Sequence, residues 1–310
     1  MIEEALRSSS IEGEFLSRQD VMSSIKNHLG TTPKEQVNDL RAAGIGELMT
    51  KIRKDFQNPL DQATLFDWHK TLLQGSHHIS LGAWRTGDEP MRVVSGRIDN
   101  PKIHFEAPHS KEVPHQIDSF LNWFNHTKNT LNESPIKAGI AHLYFESIHP
   151  FEDGNGRIGR SISDKALAQG AGNFAMLSLS QVMEEKRNDY YGALKSAQRS
   201  NEITPWLTYF VQTSLQAQQK AEEEILFILK KARFFSQQTG HQLNPRQQKA
   251  IHRMFEVGVT GFEGGMDVRK YTSLTKTSKA TATRDLQDLV SQGILAPSGK
   301  ARATKYTLIL

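Results

Sequence analysis

Residues 149–160 read His-Pro-Phe-Glu-Asp-Gly-Asn-Gly-Arg-Ile-Gly-Arg, which sets a base, carboxylates, glycines, an amide and two arginines in one short segment. A nucleoside triphosphate asks for that combination: a proton acceptor, a metal ligand, a backbone that can approach phosphate oxygens, and cations to hold their charge. His149 stands at the mouth of the segment, where a neutral imidazole can take a proton from an incoming hydroxyl near pH 7. Asp153 is a hard oxygen ligand suited to Mg²⁺, which arrives with phosphates and needs few protein ligands. Gly154 and Gly156 allow the backbone to fold into an anion-binding nest. Arg157 and Arg160, three apart at the start of a helix, project to one side and can reach successive phosphates.

Two helices must hold this loop. Ile136, Ile140, Leu143, Tyr144 and Ile148 mark the first, which Pro150 closes because the residue before a proline is pushed out of the α region. The second is expected from about 157 to 168, with its free N–H groups and positive dipole end aimed at the anion. Elsewhere the spacing of apolar residues predicts helices over 2–17, 34–58, 61–73, 113–125, 181–200 and 204–231. Residues 75–110 differ in texture, with short apolar pieces on either side of a Ser95-Gly96 turn, and predict a hairpin.

A chain of 310 residues can bury one large core and a smaller one, and 37% hydrophobic with 23% charged residues fits a globular protein. No apolar run approaches bilayer length and the first residues are acidic, unlike a secretory leader, so a cytoplasmic protein with no membrane partner is expected. The absence of cysteine excludes disulfides and thiolate metal sites. The net charge of +4 is uneven. From Leu243 onward eleven Lys and Arg face five Asp and Glu, so that segment carries +6 and the remainder −2. A basic tail of this kind suggests a separate domain with its own partner.

Residues 149–160 resemble, without departure, the Fic-family motif HPFx(D/E)GNGRxGR. The resemblance implies a mainly α fold, a Fic-type helical domain with a small β-hairpin flap, and transfer of AMP from ATP to a Ser, Thr or Tyr hydroxyl of a target protein. It implies His149 as general base, Asp153 as Mg²⁺ ligand, and Gly154, Asn155 and Gly156 as the phosphate cradle. Arg157 and Arg160 are then the phosphate-binding arginines, with Arg160 on the γ-phosphate. Leu81-Gly-Ala-Trp-Arg85 with 91–95 and 103–108 resembles the family's flap, on which an extended target segment, from another protein or a second copy of the chain, docks by strand addition. Residues 188–194 resemble the lining of the adenosine pocket, with Tyr191 preferred to Tyr190.

Ser8-Ser-Ser-Ile-Glu12-Gly13 resembles the same family's inhibitory motif, (S/T)xxxE(G/N). Ser8 and Glu12 share a helix face, from which Glu12 can reach Arg160 and take the space of the γ-phosphate. A second role for Glu12, orienting water to remove AMP from a modified target, fits the same residues.

Gly240 to Pro245 forms a boundary, with Pro245 opening a new helix. Helices over 245–256, 268–275 and 278–292 and strands over 293–297 and 306–310 resemble a winged helix-turn-helix. Ser278, Lys279, Thr281, Thr283 and Arg284 would then face duplex DNA, with Lys300 and Arg302 on the wing. Such domains also serve as dimerisation or protein-docking modules, and a homodimer is compatible with that use. The expected organisation is an inhibitory helix region over 1–26, a catalytic domain over 27–240 and a winged helix over 241–310. Two alternatives keep the same loop: a DNA-binding regulator whose Fic domain senses nucleotide, and transfer of a phosphorylated alcohol in place of AMP.

Overall fold

The first helix, α1 (Ile2–Ile11), ends in a left-handed turn that decides where the next residues point. Gly13 has φ 85°, its N–H donates to Ser10 O at 3.0 Å, and the Glu14 N–H donates to Ser9 O at 3.0 Å. This is the paired closure of a Schellman motif, which favours glycine because φ is positive. The helix expected over 2–17 therefore stops at Ile11, and the chain doubles back.

In the computed structural model every residue is described except 32, 88–90, 98–99, 128–129, 131–132, 175–176, 238–242, 260, 263, 300–302 and 310, with the backbone alone over 92–97, 100–104 and at 237. Lys300, Arg302 and residues 240–242 of the expected boundary lie outside the described residues. Two units divide the chain, Met1–Gln218 and Gln219–Leu310.

In the first unit, α2 (Arg18–Leu29) opens on Ser17, whose hydroxyl accepts from the Asp20 N–H, and closes on Gly30 at φ 68°. One helix was expected over 34–58; instead α3 (Leu40–Asp55) starts after Asp39, whose carboxylate accepts from the Arg41 N–H. Asp61 caps α4 (Gln62–Leu72) through the Thr64 N–H at 2.7 Å.

Strands β1 (Arg92–Arg97) and β2 (Asn100–Glu106) pair antiparallel, with a register shift between Val93 and Val94. Ser95 and Gly96, expected to turn, are instead paired with Lys102 and Pro101. The alternation of a polar Ser-Gly pair between apolar pieces mimics a turn, but pairing continues to Arg97–Asn100.

Helix α5 (Val113–His126) precedes α6 (Ser134–Ile148) and α7 (Asn155–Ala171), which carry the loop between them. Helix α6 is apolar nearly all round and buries residues on every side, as expected of a central helix. Ile158, Ile162 and Ala166 of α7 are sealed in the same core with Phe145 and Phe151. Burial of each isoleucine stabilises the unit by about 1.5–3 kcal/mol.

The region expected as helical over 181–200 is two helices, α8 (Leu179–Glu185) and α9 (Arg187–Ala197), and α10 (Thr204–Gln237) follows. Trp206 on α10 is buried and its indole N–H donates to Gly139 O at 2.8 Å, anchoring α10 to α6.

The second unit holds α11 (Pro245–Glu256), α12 (Val268–Thr275), α13 (Lys279–Ser291) and the antiparallel pair β3 (Leu295–Ser298) and β4 (Lys305–Leu308). Asn244 and Gln247 form a capping box on α11, and Asp267 and Ser278 cap α12 and α13. Buried Asp285 in the middle of α13 accepts from Arg246, Tyr271 and Asn244, tying the starts of α11 and α12 to that helix.

Candidate active site

His149 ends α6 in the left-handed region, φ 50° and ψ 59°, with its N–H donating to Phe145 O. A non-glycine residue held there is a strained position that its surroundings must fix. Arg85 does the fixing. Its Nε donates to His149 O at 2.7 Å, its Nη2 to Pro108 O at 2.6 Å and Ile148 O at 3.3 Å, and its N–H to Pro150 O at 2.9 Å. Burial, then the nearby Arg85 charge, pushes the His149 imidazole down to about 4. It is therefore neutral at pH 7, as a proton acceptor must be.

The loop is braced from within. Asn155 accepts from the Phe151 N–H at 2.9 Å and donates from Nδ2 to Phe151 O at 2.8 Å, so its side chain holds the loop's own backbone. Phe151 is buried against His69, Trp84 and Phe66. His69 accepts from the Gly82 N–H at Nδ1, which leaves Nε2–H to donate to Asp153 O at 3.2 Å. Gly154, at φ 80°, is the N-cap of α7 and needs glycine's freedom.

Asp153 is 58% exposed, with Oδ1 accepting from the Gly154 N–H and Oδ2 lying 3.5 Å from Arg157. Among the described residues no group of three or more metal-ligating side chains gathers. A single exposed carboxylate beside a helix N-terminus fits Mg²⁺ carried in by phosphates, because that ion keeps most of its other ligands from water and phosphate.

Arg160 is 1% exposed. Its Nε donates to Ser8 Oγ and its Nη2 to Ser8 O and Glu12 Oε1, each at 2.8 Å. Its remaining nitrogen, Nη1, is buried without a partner. Burial works against its charge, but Glu12, followed by Tyr190 and Tyr191, outweighs this and raises its pKa. Glu12 lies directly on Gly156, so a Cβ at 156 would overlap its carboxylate. Arg157 is engaged as well, its Nη1 donating to Glu14 Oε2 at 2.7 Å.

Tyr191 is half-exposed and donates to Ile11 O at 3.3 Å, whereas Tyr190 is buried and hydrogen-bonded to His142 Nε2 at 2.9 Å. The α1 terminus thus touches Tyr191, Arg157 and Arg160 together. It is docked at its other side by Glu4, which accepts from Ser178 and Ser180, and by Arg7 and Ser10, which donate to Glu184. In the second unit Ser278, Lys279 and Arg284 are exposed at the start of α13, and Thr281 and Thr283 are partly covered.

The roles of Arg85, His69, Glu14 and Glu146 are not among those expected from the sequence, where Arg85 stands only as part of the flap segment. Glu14 stands two residues from Glu12 as Arg157 stands three from Arg160, a spacing that could have suggested it. Glu146, three residues before His149 on one helix, is marked by spacing as well. Arg85 and His69 act on backbone carbonyls, which leave no pattern in a single sequence.

Residues 59–167 match the family described as "Fic/DOC family", and residues 1–31 match one described only as a domain of unknown function (DUF4172). The chain carries a Fic/DOC family domain. It is 34% identical over 94 residues to a probable protein adenylyltransferase of Aquifex aeolicus, covering 30% of this chain and 27% of that protein. It is 29% identical over 126 residues to protein adenylyltransferase fic-1 of Caenorhabditis elegans, covering 39% of this chain and 23% of that one. The chain therefore spans about a quarter of the length of each of these relatives. A crystal structure of a Fic family protein from Desulfovibrio desulfuricans G20 matches with a TM-score of 0.56 and 20% identity, over 99% of this chain and 86% of that one, a likeness of fold. Among the described residues, no helix is long and apolar enough to cross a membrane.

Proposed function

We propose that the protein transfers AMP from ATP to a Ser, Thr or Tyr hydroxyl of a target protein, and that its own α1 terminus restrains it. The observation that carries this reading is the occupation of Arg160 by Ser8 and Glu12 within the loop that His149 heads. Reacting phosphates need cations, and here the buried cation is held by a carboxylate in their place. In the transfer, the target oxygen bonds to the α-phosphorus, the bond to the pyrophosphate oxygen breaks, and its electron pair leaves with pyrophosphate. The hydroxyl proton passes to neutral His149. Mg²⁺, when bound, would neutralise phosphate charge, and Asp153 would hold it. Arg157 and Arg160, released from Glu14 and Glu12, would grip the outer phosphates, and the N–H groups of Gly154, Asn155 and Gly156 would line the cradle. Tyr191 would border the adenosine. Positioning of this sort accounts for most of the catalysis of phosphate chemistry. The backbone of β1 and β2 offers an edge for the target segment.

The test is label transfer. ATP labelled at the α-phosphate should mark protein, ATP labelled at the γ-phosphate should not, and His149→Ala should abolish the mark. Labelling from the γ-position would replace the reading with phosphoryl transfer.

For the second unit we propose a winged helix over 241–310 that binds duplex DNA. The exposed Lys279 and Arg284 at the head of α13, within a segment of charge +6, support it. A duplex shift that fades steeply with salt is expected from phosphate contacts, and no shift at low salt would remove the proposal.

A further inference from the structure

Behind His149 lie polar atoms that the transfer reaction leaves unassigned. Of the two ring nitrogens, only Nδ1 is buried without a partner. Glu146 Oε2 lies 3.7 Å from it, and Glu146 Oε1 is itself buried and unpartnered. Glu146 is three residues before His149, so the last turn of α6 stacks the carboxylate under the ring. The gap exceeds a hydrogen bond by less than 1 Å, and such contacts commonly tighten only when substrate is bound.

The surroundings keep this carboxylate in place. Gly159 on α7 has no Cβ, and one added there would come within 2.7 Å of Glu146 Oε1. The last Gly of the Gly-Arg-Ile-Gly-Arg run thereby leaves the room that Glu146 fills. The main-chain carbonyl of Glu146, a rival acceptor that also acts on the ring, already accepts from Gln198 Nε2 at 3.2 Å.

We propose that Glu146 is the positioning residue of His149: its carboxylate takes the imidazole Nδ1–H and so leaves the Nε2 lone pair free for the target hydroxyl. The role of the hydroxyl rests on the adenylylation reading; the hydrogen bond does not. A histidine whose Nδ1–H is held by a carboxylate is fixed in the tautomer that can act as base at Nε2, and the imidazolium formed on proton transfer is stabilised by the same group.

The charges around the pair come from each element packed on it: Glu12 from the α1 terminus, Arg85 from the segment before the hairpin, His142 within α6, Asp153 and Arg160 from the loop and α7, and Tyr190 from α9. Burial, then repulsion by Glu12, pushes the Glu146 carboxyl up to about 8. With the Glu12 charge removed, Glu146 should ionise below that pH.

The experiment uses the full chain carrying Glu12→Gly. Ring ¹⁵N–¹H NMR, with the His149 signal assigned by its loss in His149→Ala, should show the Nδ1–H tautomer once Glu146 ionises. Glu146→Ala and Gly159→Ala should both return mixed tautomers. The isosteric Glu146→Gln should lower kcat by about 10- to 100-fold with the ATP KM unchanged, and erase the rise of kcat with pH below 8. An unchanged tautomer in Glu146→Ala, or an unchanged kcat and pH profile in folded Glu146→Gln, would overturn the proposal. If the tautomer responds but no AMP is transferred by the Glu12→Gly chain, the positioning stands and the adenylylation reading falls.

Discussion

Glu14 accepts a hydrogen bond from Arg157 at 2.7 Å, two residues beyond the Glu12 that holds Arg160. The Gly13 turn lets both glutamates reach back to α7, so Arg157 and Arg160, the arginines proposed to grip phosphate, are matched by two acids from one helix end. A partly exposed ion pair of this kind contributes on the order of 1 kcal/mol. Glu14→Ala should therefore raise AMP incorporation by about fivefold. Labelled-ATP rates at subsaturating ATP, with Glu14→Gln alongside, check it.

Gly13 is the hinge of that arrangement. Nothing lies within 4 Å of a Cβ built there, so Gly13→Ala is opposed by backbone strain alone. A non-glycine residue in the left-handed region costs about 1–2 kcal/mol. That strain loosens the closure and should activate the enzyme partially, about fivefold, less than Glu12→Gly. Equal rates for wild type and Gly13→Ala would show that the turn does not set the restraint.

Lys165 closes a structural gap at the end of α3. Its buried ammonium donates to Asp55 O, Phe56 O and Asn58 O at 2.9, 2.9 and 2.7 Å, using all three of its N–H groups. Lys165→Met keeps the length of the stem but removes the ammonium donor from all three carbonyls, leaving Asp55 O with the Asn58 N–H. The loss should be about 3 kcal/mol, read as a lower urea midpoint with an unchanged slope.

Acid stability should follow His142. Burial, then Arg160, pushes its pKa from the ordinary value of 6.5 down to about 3. Between those values the unfolded chain binds the extra proton, so the stabilisation is complete above pH 6.5 and is lost as pH falls towards 3, by about 1.4 kcal/mol per unit. His149 acts in the same sense, whereas Glu146, pushed up to about 8, acts in the opposite sense between 4.5 and 8. The difference between wild type and His142→Gln isolates the first term. That difference should shrink steadily from pH 6.5 to 4, and a constant one would contradict the buried neutral state.

The contiguous part of the site was legible because its chemistry is local. A base, a carboxylate, glycines and arginines at fixed offsets between two helices could be read from residues 149–160, and Glu12 through the resemblance of Ser8–Gly13 to the family's inhibitory motif. Asn155 shows the limit: its side chain serves the Phe151 backbone, and only its N–H is left for an anion. Arg85 and His69 were invisible because they act on carbonyl oxygens of residues 64 and 84 positions away, and a main-chain acceptor carries no residue type. The helix ends erred where tertiary closure overrode periodicity. The pattern over 2–17 continues past Ile11, but the Gly13 turn cuts it, and the Ser95-Gly96 pair reads as a turn although cross-strand pairing carries through it.

The most direct test is intact-protein mass after incubation with Mg²⁺-ATP and target-containing extract, comparing wild type, Glu12→Gly and Glu12→Gly with His149→Ala, together with AMP counted on all protein present. Little AMP is expected with wild type, on the order of tenfold more or greater with Glu12→Gly, and none with the double variant. No gain in Glu12→Gly, or a gain that survives His149→Ala, would contradict it.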